Sequence, residues 1–172
     1  EEEELNRVLE VVRRLAQENI CVSIDTRHAS IARACVDAGA SIINDVMGFR
    51  DPEMVKAAAS SDVGLVVMHM QGDDPRTMQD SPEYTDVVDE VAVYLKARAS
   101  ELEEAGIDHD RICLDPGPGF GKTAKQTIQL MRNFQEFVHL GYPLMVAVSR
   151  KSCIGYAYNI DDPKQRDDAS AA

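Results

Sequence analysis

The sequence predicts an α/β fold with a parallel sheet, organised as a section of a (βα)8 TIM barrel. Short apolar runs alternate with segments of helical periodicity along the 172 residues, and this alternation is typical of parallel sheets. The runs are apolar at nearly every position, as expected for strands that are buried on both faces. Polar residues follow nearly every run, and a barrel gathers such strand ends on the face where its active site forms.

The first half of the chain contains three predicted helices, each followed by a predicted strand. The second helix ends at Gly39, a common C-cap residue. The third helix begins with Asp51 as a cap, and Pro52 follows in the first turn. In order, these elements are helix 4–18, strand 20–25, helix 29–39, strand 41–46, helix 51–60 and strand 63–70.

The second half continues the pattern after a longer polar loop. Gly106 and Gly141 are expected to stop two helices for the same reason as Gly39. The final letters DDASAA predict the entry into a further helix. In order, the predicted elements are helix 84–105, strand 111–115, helix 123–139, strand 143–149 and a short helix from about Arg150.

The residues at the strand ends separate two possible topologies. They are Asp25, Asn44, His69, Asp115 and Ser149. An open doubly wound sheet needs polar residues only beside its switch point, whereas a barrel collects all of its strand ends on one face. The barrel is therefore favoured. Because a full barrel takes roughly 250 residues, the chain is interpreted as an interior section of one.

Composition and charge exclude several classes of function. The formal net charge of −12 argues against broad binding of nucleic acid, which requires a basic surface. No apolar run is long enough to span a membrane, and the acidic opening segment does not resemble a secretory signal. The four cysteines are scattered, which argues against a disulfide framework or a zinc site and predicts a reduced, cytoplasmic setting. Cys21 and Cys113 are expected to be small core residues.

The glycine-rich stretch DPGPGFGKT, 115–123, is similar to two phosphate-binding loops but matches neither. A P-loop would need glycine where Pro116 stands, and a dinucleotide loop would need glycine where Lys122 stands. Its glycines allow the backbone to turn sharply and to approach a ligand closely. A plain turn is the alternative.

Three polar residues at strand ends form the main candidate site. Asp25, Asn44 and Asp115 offer carboxylate and carboxamide groups, which suit a flat heterocycle rich in N–H donors and carbonyl acceptors. Helix capping is the alternative explanation for each residue alone. Their shared position at one barrel mouth favours binding over capping.

Two further candidates follow the third and fifth strands. His69 could act as a base or a ligand, but a single histidine at a strand end is more often a satisfied structural residue. In SRKS, 149–152, Lys151 and Ser152 lie near a predicted helix start, where an anion or a carbonyl could bind. A solvated basic pair is the alternative there.

Five blocks together resemble the dihydropteroate synthase family. They occur in family order and cover essentially the whole chain. The blocks are VSIDT at 22–26, INDV at 43–46, MHMQG at 68–72 with PRTMQ at 75–79, DPGPGFGKT at 115–123 and SRKSCIG at 149–155.

The resemblance implies a transferase of folate biosynthesis. That family condenses 7,8-dihydropterin-6-ylmethyl pyrophosphate with p-aminobenzoate to give dihydropteroate and pyrophosphate. The resemblance also implies one incomplete pterin-binding domain over 1–172, which holds barrel strands three to seven. Strands one, two and eight would lie outside these residues. Full activity is therefore not expected from residues 1–172 alone.

The resemblance also assigns roles to residues. Asp115 and Lys151 are implied to be catalytic, and Phe120, Lys151 and Ser152 to bind p-aminobenzoate. Mg²⁺ is implied as cofactor, with its protein ligand before Glu1 and none within the chain. Small-molecule substrates, sulfonamide inhibitors and a homodimer are the implied partners, without nucleic acid or membrane. The implied pterin-binding residues are Asp25, Asn44, Met68, Asp115, Gly119 and Lys151.

Two alternatives remain beside the synthase. A pterin-binding barrel of the methyltransferase type would share the pterin carboxylates, but it lacks the SRKS block. A catalytically silent homologue or fragment would bind pterin without turnover. The sequence also departs from the family at Cys153, where phenylalanine is frequent, and at Ala169, where glycine is common.

Overall fold

The computed structural model describes residues 1–80 and 82–171, which form a parallel sheet covered by helices. The strands are β1 (Ser23–Asp25), β2 (Ile42–Asp45), β3 (Gly64–Met68) and β4 (Ile112–Asp115). The α-helices are α1 (Glu2–Gln17), α2 (Ala29–Asp37), α3 (Pro52–Ala59), α4 (Val87–Glu104), α5 (Ala124–Arg132), α6 (Gln135–Val138), α7 (Ser152–Tyr158) and α8 (Asp167–Ala171). Short 3-10 helices cover His109–Arg111 and Pro163–Gln165.

The strands lie in the order β1-β2-β3-β4, and each pair is parallel. Each new strand is therefore added beside the previous one. A doubly wound sheet reverses its strand order at a switch point, and the described strands contain no such reversal. The sequential order is that of a barrel.

The register of the strands separates the two faces of the sheet. Ile24, Ile43 and Leu65 lie in one row with Ile112, and all of them belong to the buried core beneath the helices. Side chains alternate along a strand, so the next row points to the opposite face. That row contains Asp25, Asn44, Val66 and Cys113. Asp25 and Asn44 therefore share the face that lies away from the helices, and Asp115, two positions after Cys113, lies on the same face.

Local capping fixes where the helices begin. Asp86 accepts hydrogen bonds from Val88 N and Asp89 N at the start of α4. At the start of α5, Thr123 and Gln126 form a reciprocal capping box, in which each side chain satisfies a backbone N–H that would otherwise lack a partner. Helices formed by the described residues are too short or too polar to cross a bilayer.

The fifth predicted strand, 143–149, is wrong as a regular strand. Only Leu144 forms a bridge, to Leu114, with Leu114 N donating to Pro143 O at 2.9 Å and Met145 N donating to Leu114 O at 2.9 Å. Within the described residues β4 supports this segment on one side only, and Met145 and Val146 are exposed. The segment nevertheless continues the sequential order beside β4.

Two smaller predictions also differ from the structure. The helix predicted at 123–139 is divided into α5 and α6. At the break, the Asn133 side chain donates to Gln129 O at 2.8 Å, and such side-chain bonds compete with the helical pattern. Cys21, expected in the core, is exposed because β1 begins only at Ser23.

Candidate active site

Asp25 and Asn44 are adjacent at the ends of β1 and β2. Partial burial raises the pKa of Asp25 and the nearby Glu4 carboxylate adds to this, while a hydrogen bond from the Asn44 side chain opposes it. Asn44 Oδ1 is buried, and among the described residues it is the one such side-chain atom without a hydrogen-bond partner. A buried acceptor without a partner is costly, so this atom is suited to receive a donor from a ligand.

Asp45, the next residue, has a structural role. It points to the helix face in the register of β2, and its carboxylate accepts from Met47 N and from Phe49 N at 2.8 Å each. Phe49 is fully buried and has a positive φ of 57°. Asp45 therefore holds a strained turn, and Asn44 alone is presented to the opposite face.

Asp115 ends β4 and connects to the glycine-rich loop. Its Oδ1 accepts from Gly117 N at 2.8 Å. Burial raises the pKa of Asp115, while the Gly117 N–H, Lys151 and Lys122 all act to lower it. The residue is only 4% exposed. Asp115 is thus a buried carboxylate with compensating donors and cations.

Gly117 allows the loop to lie directly against the end of β3. Its φ is +64°, and a Cβ built there would lie 2.0 Å from His69 O and 3.3 Å from Met68 Cγ. No side chain fits at this distance. Met68 itself is buried, and it pairs with Asp115 in the sheet register.

Lys122 is a buried residue of the site whose role the sequence does not indicate. It is 1% exposed, and its Nζ lies 3.0 Å from Gly117 O, 3.0 Å from Phe120 O and 2.9 Å from His69 Nδ1. It therefore fixes both ends of the segment 117–120 to the third strand. His69 serves as the partner of Lys122, which agrees with the structural interpretation of this histidine.

The contacts of Lys122 are compatible with two protonation states. As an ammonium group, Lys122 donates to both carbonyls and to His69 Nδ1; as a neutral amine, it donates to the carbonyls and accepts from Nδ1–H. Burial lowers the pKa of Lys122 to about 7, with Asp115 opposing the shift and Lys151 adding to it. Burial together with Lys122 and Arg50 lowers the pKa of His69 to about 2, so this ring is neutral at ordinary pH.

We expect the free energy of unfolding to rise with pH from about 7 to about 10, because over this range the unfolded chain holds a proton on Lys122 that the folded chain has released. In the variant Lys122→Met the part of this slope due to Lys122 should be lost, while the part due to Lys151, whose pKa burial also lowers, should remain. The variant should also be less stable at every pH. Urea denaturation across this pH range measures the slope. Lys125→Met, at an exposed position of α5, is the matched control and should keep the slope; equal slopes in the protein and in Lys122→Met would contradict the expectation.

Lys151, Phe120 and Gly119 meet beside Asp115. Lys151 Nζ donates to Pro118 O and lies 4.5 Å from the centre of the Phe120 ring. A Cβ built at Gly119 would lie 3.3 Å from Lys151 Cδ. Burial lowers the pKa of Lys151, and Asp115 opposes the shift. The residues before α7 and the glycine-rich loop thus form one wall of the candidate site.

Ser152 is the first residue of α7 and is exposed. It follows Lys151 directly, so it lies at the edge of the same wall. It is available to a ligand from the solvent side.

The polar loop after β3 covers the glycine-rich loop. Gln79 Nε2 donates to Gly119 O, and Tyr84 OH donates to Gly121 O at 2.8 Å. Thus the PRTMQ block lies against the DPGPGFGKT block. The described residues contain no group of three or more His, Cys, Asp or Glu side chains arranged to hold a metal ion.

Comparisons with known proteins agree with this geometry. A family model described as "Pterin binding enzyme" matches residues 1–172. The dihydropteroate synthase of Escherichia coli (strain K12) is 41% identical over 172 residues, which are 99% of this chain and 60% of that protein.

Two solved structures have the same arrangement of elements. Dihydropteroate synthase from Thermus thermophilus in complex with 6HMPPP matches with a TM-score of 0.91 at 42% identity, over 96% of this chain and 65% of that one. Dihydropteroate synthase from Xanthomonas albilineans with 4-aminobenzoic acid matches with a TM-score of 0.91 at 40% identity, over 98% of this chain and 60% of that one. The predicted fold class, a section of a (βα)8 barrel, is confirmed.

Proposed function

This chain belongs to the pterin-binding enzyme family, and we propose that it provides the pterin and aminobenzoate pocket of a dihydropteroate synthase in folate biosynthesis. The chain spans 60% of the length of its E. coli relative, so the activity is proposed for the protein that contains the whole barrel. The observation that carries the proposal is the placement of Asp25, Asn44 and Asp115 on one face of the sheet, beside the Lys151–Phe120 contact.

The pterin is proposed to lie across the ends of the strands. Asp25 and Asp115 can accept hydrogen bonds from the N–H edge of the heterocycle, and the unpaired Asn44 Oδ1 can accept another. Met68 and Gly119 would form the adjacent wall. The buried Asp115 carboxylate binds such an edge more strongly than an exposed carboxylate would, because water competes less.

The reaction requires the loss of pyrophosphate and the attack of an amine. The bond between the pterin methylene carbon and the pyrophosphate oxygen breaks, and pyrophosphate leaves with the electron pair. The amine nitrogen of p-aminobenzoate then bonds to the methylene carbon and loses a proton. We assign to Asp115 the stabilisation of positive charge that develops on the pterin, and to Lys151 a hydrogen bond to the pterin ring.

The p-aminobenzoate is proposed to lie between Phe120 and the start of α7. Its ring would pack on Phe120, and its carboxylate would be held by Ser152 and the Lys151 ammonium. Sulfonamides, which resemble p-aminobenzoate in shape, would compete for this position. The contact between Lys151 and Phe120 favours this function over a methyltransferase-like barrel. Through this contact, Lys151 borders both the proposed pterin position and the proposed p-aminobenzoate position.

The remaining assignments concern cofactor, assembly and location. Mg²⁺ would neutralise the leaving pyrophosphate, but the described residues do not form a metal cage, so no step is assigned to an ion held by them. We also propose a homodimer and a cytoplasmic location; the four free thiols suit a reducing compartment.

Calorimetric titration tests the proposed function. We expect dihydropterin pyrophosphate with Mg²⁺ to bind first and p-aminobenzoate to bind only afterwards. In the variant Asn44→Ala, pterin binding should be weakened with a smaller loss of stability, because Asn44 Oδ1 has no partner in the protein and only the side-chain hydrogen bond to Asp25 is removed. Pterin binding without any aminobenzoate binding would contradict the synthase assignment and favour a methyltransferase-like or silent homologue.

A further inference from the structure

The segment 159–171 folds back over the turn that carries Lys151 and Ser152. Arg166 is its one strongly buried residue, at 9% exposure. Its guanidinium donates to Ile160 O at 2.9 Å, to Asp161 O at 2.6 Å and to Arg150 O at 3.0 Å. One side chain therefore ties the segment to the backbone carbonyl that immediately precedes Lys151.

Gly155 in α7 provides the space for this guanidinium. A Cβ built at Gly155 would lie 2.6 Å from Arg166 Cζ and 2.6 Å from Ile160 O. The backbone φ of Gly155 is ordinary for a helix, so its lack of a side chain is explained by this contact. The Arg166 guanidinium thus packs against α7 at the point where Gly155 leaves room for it.

Arg150 is held at both of its backbone groups. Its φ is +56°, an unfavourable conformation for a residue with a side chain. Arg150 N donates to Ser170 Oγ at 2.9 Å, while Arg150 O accepts from Arg166. The Arg150 guanidinium also pairs with the Asp167 carboxylate, but that pair is exposed and contributes little.

We propose that Arg166 is a positioning residue for the aminobenzoate subsite: it fixes the peptide between Arg150 and Lys151 and so places Ser152 at the start of α7. The inference rests on the proposed function. Lys151 Nζ is anchored separately, by Pro118 O and the Phe120 ring. Arg166 therefore acts on the backbone at Arg150 and on the position of Ser152. It does not contact the strand-end residues that are proposed to bind the pterin.

Arg166→Lys keeps the positive charge, but its single ammonium group cannot reach three carbonyls that the guanidinium fork reaches. We expect the KM for p-aminobenzoate to rise about tenfold, the effect of losing one or two such hydrogen bonds. The dissociation constant for dihydropterin pyrophosphate should change by less than about twofold. Gly155→Ala, which displaces the same guanidinium, should give the same pattern. Arg13→Lys, at an exposed position of α1, is the matched control and should leave both constants unchanged.

Hydrogen exchange of the backbone amides at 150–153, measured by mass spectrometry in the same variants, gives a readout that does not require turnover. We expect faster exchange in Arg166→Lys and Gly155→Ala than in the control. If exchange accelerates but the wild-type protein forms no dihydropteroate, the proposed function fails, and with it the subsite role of Arg166. If the wild-type protein turns over but exchange and the aminobenzoate KM stay unchanged, or if pterin affinity falls equally, the positioning role of Arg166 is overturned.

Discussion

Gly117→Ala should be the most destabilising single change in the site, lowering the free energy of unfolding by about 2–5 kcal/mol. This range adds the cost of a left-handed conformation for alanine to the cost of overpacking. The new Cβ would lie 2.0 Å from His69 O, so the loop or the end of β3 must move. Lys122 resists that movement, because it binds the carbonyls of both Gly117 and His69. Urea denaturation measures the loss.

Gly141→Ala separates the two contributions to this loss. Gly141 has a φ of +88°, but a Cβ built there meets no atom within 4 Å. Alanine at this position should therefore cost only the conformational part, about 1–2 kcal/mol. If the two variants were equally destabilised, the close approach of Gly117 to His69 would contribute nothing to the loss.

The same substitution at Gly117 should also weaken the proposed pterin site. Asp115 Oδ1 accepts from Gly117 N, so a displaced loop would remove one of the groups that keep the buried carboxylate ionised. The stability of the loop and the charge of Asp115 are therefore coupled through one peptide group.

The glycine-rich stretch shows how far the sequence can predict such a site. Its composition correctly indicates a sharp turn with close backbone contact, since glycine permits both. The partner of that contact is His69 O, 48 positions earlier in the chain. Residue identity does not specify such a partner; the register between β3 and β4 does.

Asn44 and Asp45 illustrate the same limit at adjacent positions. Both are polar, and both follow an apolar run, so composition alone does not distinguish them. The alternation of the strand sends Asn44 to the open face and Asp45 beneath the helices. The family resemblance selects Asn44, while the supporting role of Asp45 becomes visible only with its backbone donors at Met47 and Phe49.

The roles of Lys122 and Arg166 could not be predicted, because most of their partners are backbone carbonyls. Every residue offers a carbonyl, so no sequence pattern marks the ones that a buried cation will meet. In the sequence, Lys122 is noticeable only within two phosphate-loop patterns that the stretch does not complete: it fits the end of a P-loop and disrupts a dinucleotide motif. Fold class, in contrast, depends on the order of apolar runs and helical segments, and that order can be read directly from the sequence.

Asp115→Asn should weaken the binding of dihydropterin pyrophosphate by on the order of 1.5–3 kcal/mol, the range for hydrogen bonds to a charged group. This corresponds to an increase of roughly 10- to 150-fold in the dissociation constant. Asparagine has nearly the same shape and can still accept from Gly117 N, so the change removes mainly the negative charge. Calorimetric titration measures the dissociation constant, and unchanged affinity would remove Asp115 from the pterin site.

Asp45→Asn is the matched control, because it removes a buried carboxylate from the opposite face of the same sheet. It should reduce stability and leave pterin affinity largely unchanged. The pH dependence gives a second test. Burial raises the pKa of Asp115, so pterin affinity should fall as pH decreases through this raised pKa and the carboxylate gains a proton. In Asp115→Asn this part of the acid dependence should disappear, leaving only the part due to Asp25, whose pKa is also raised by partial burial.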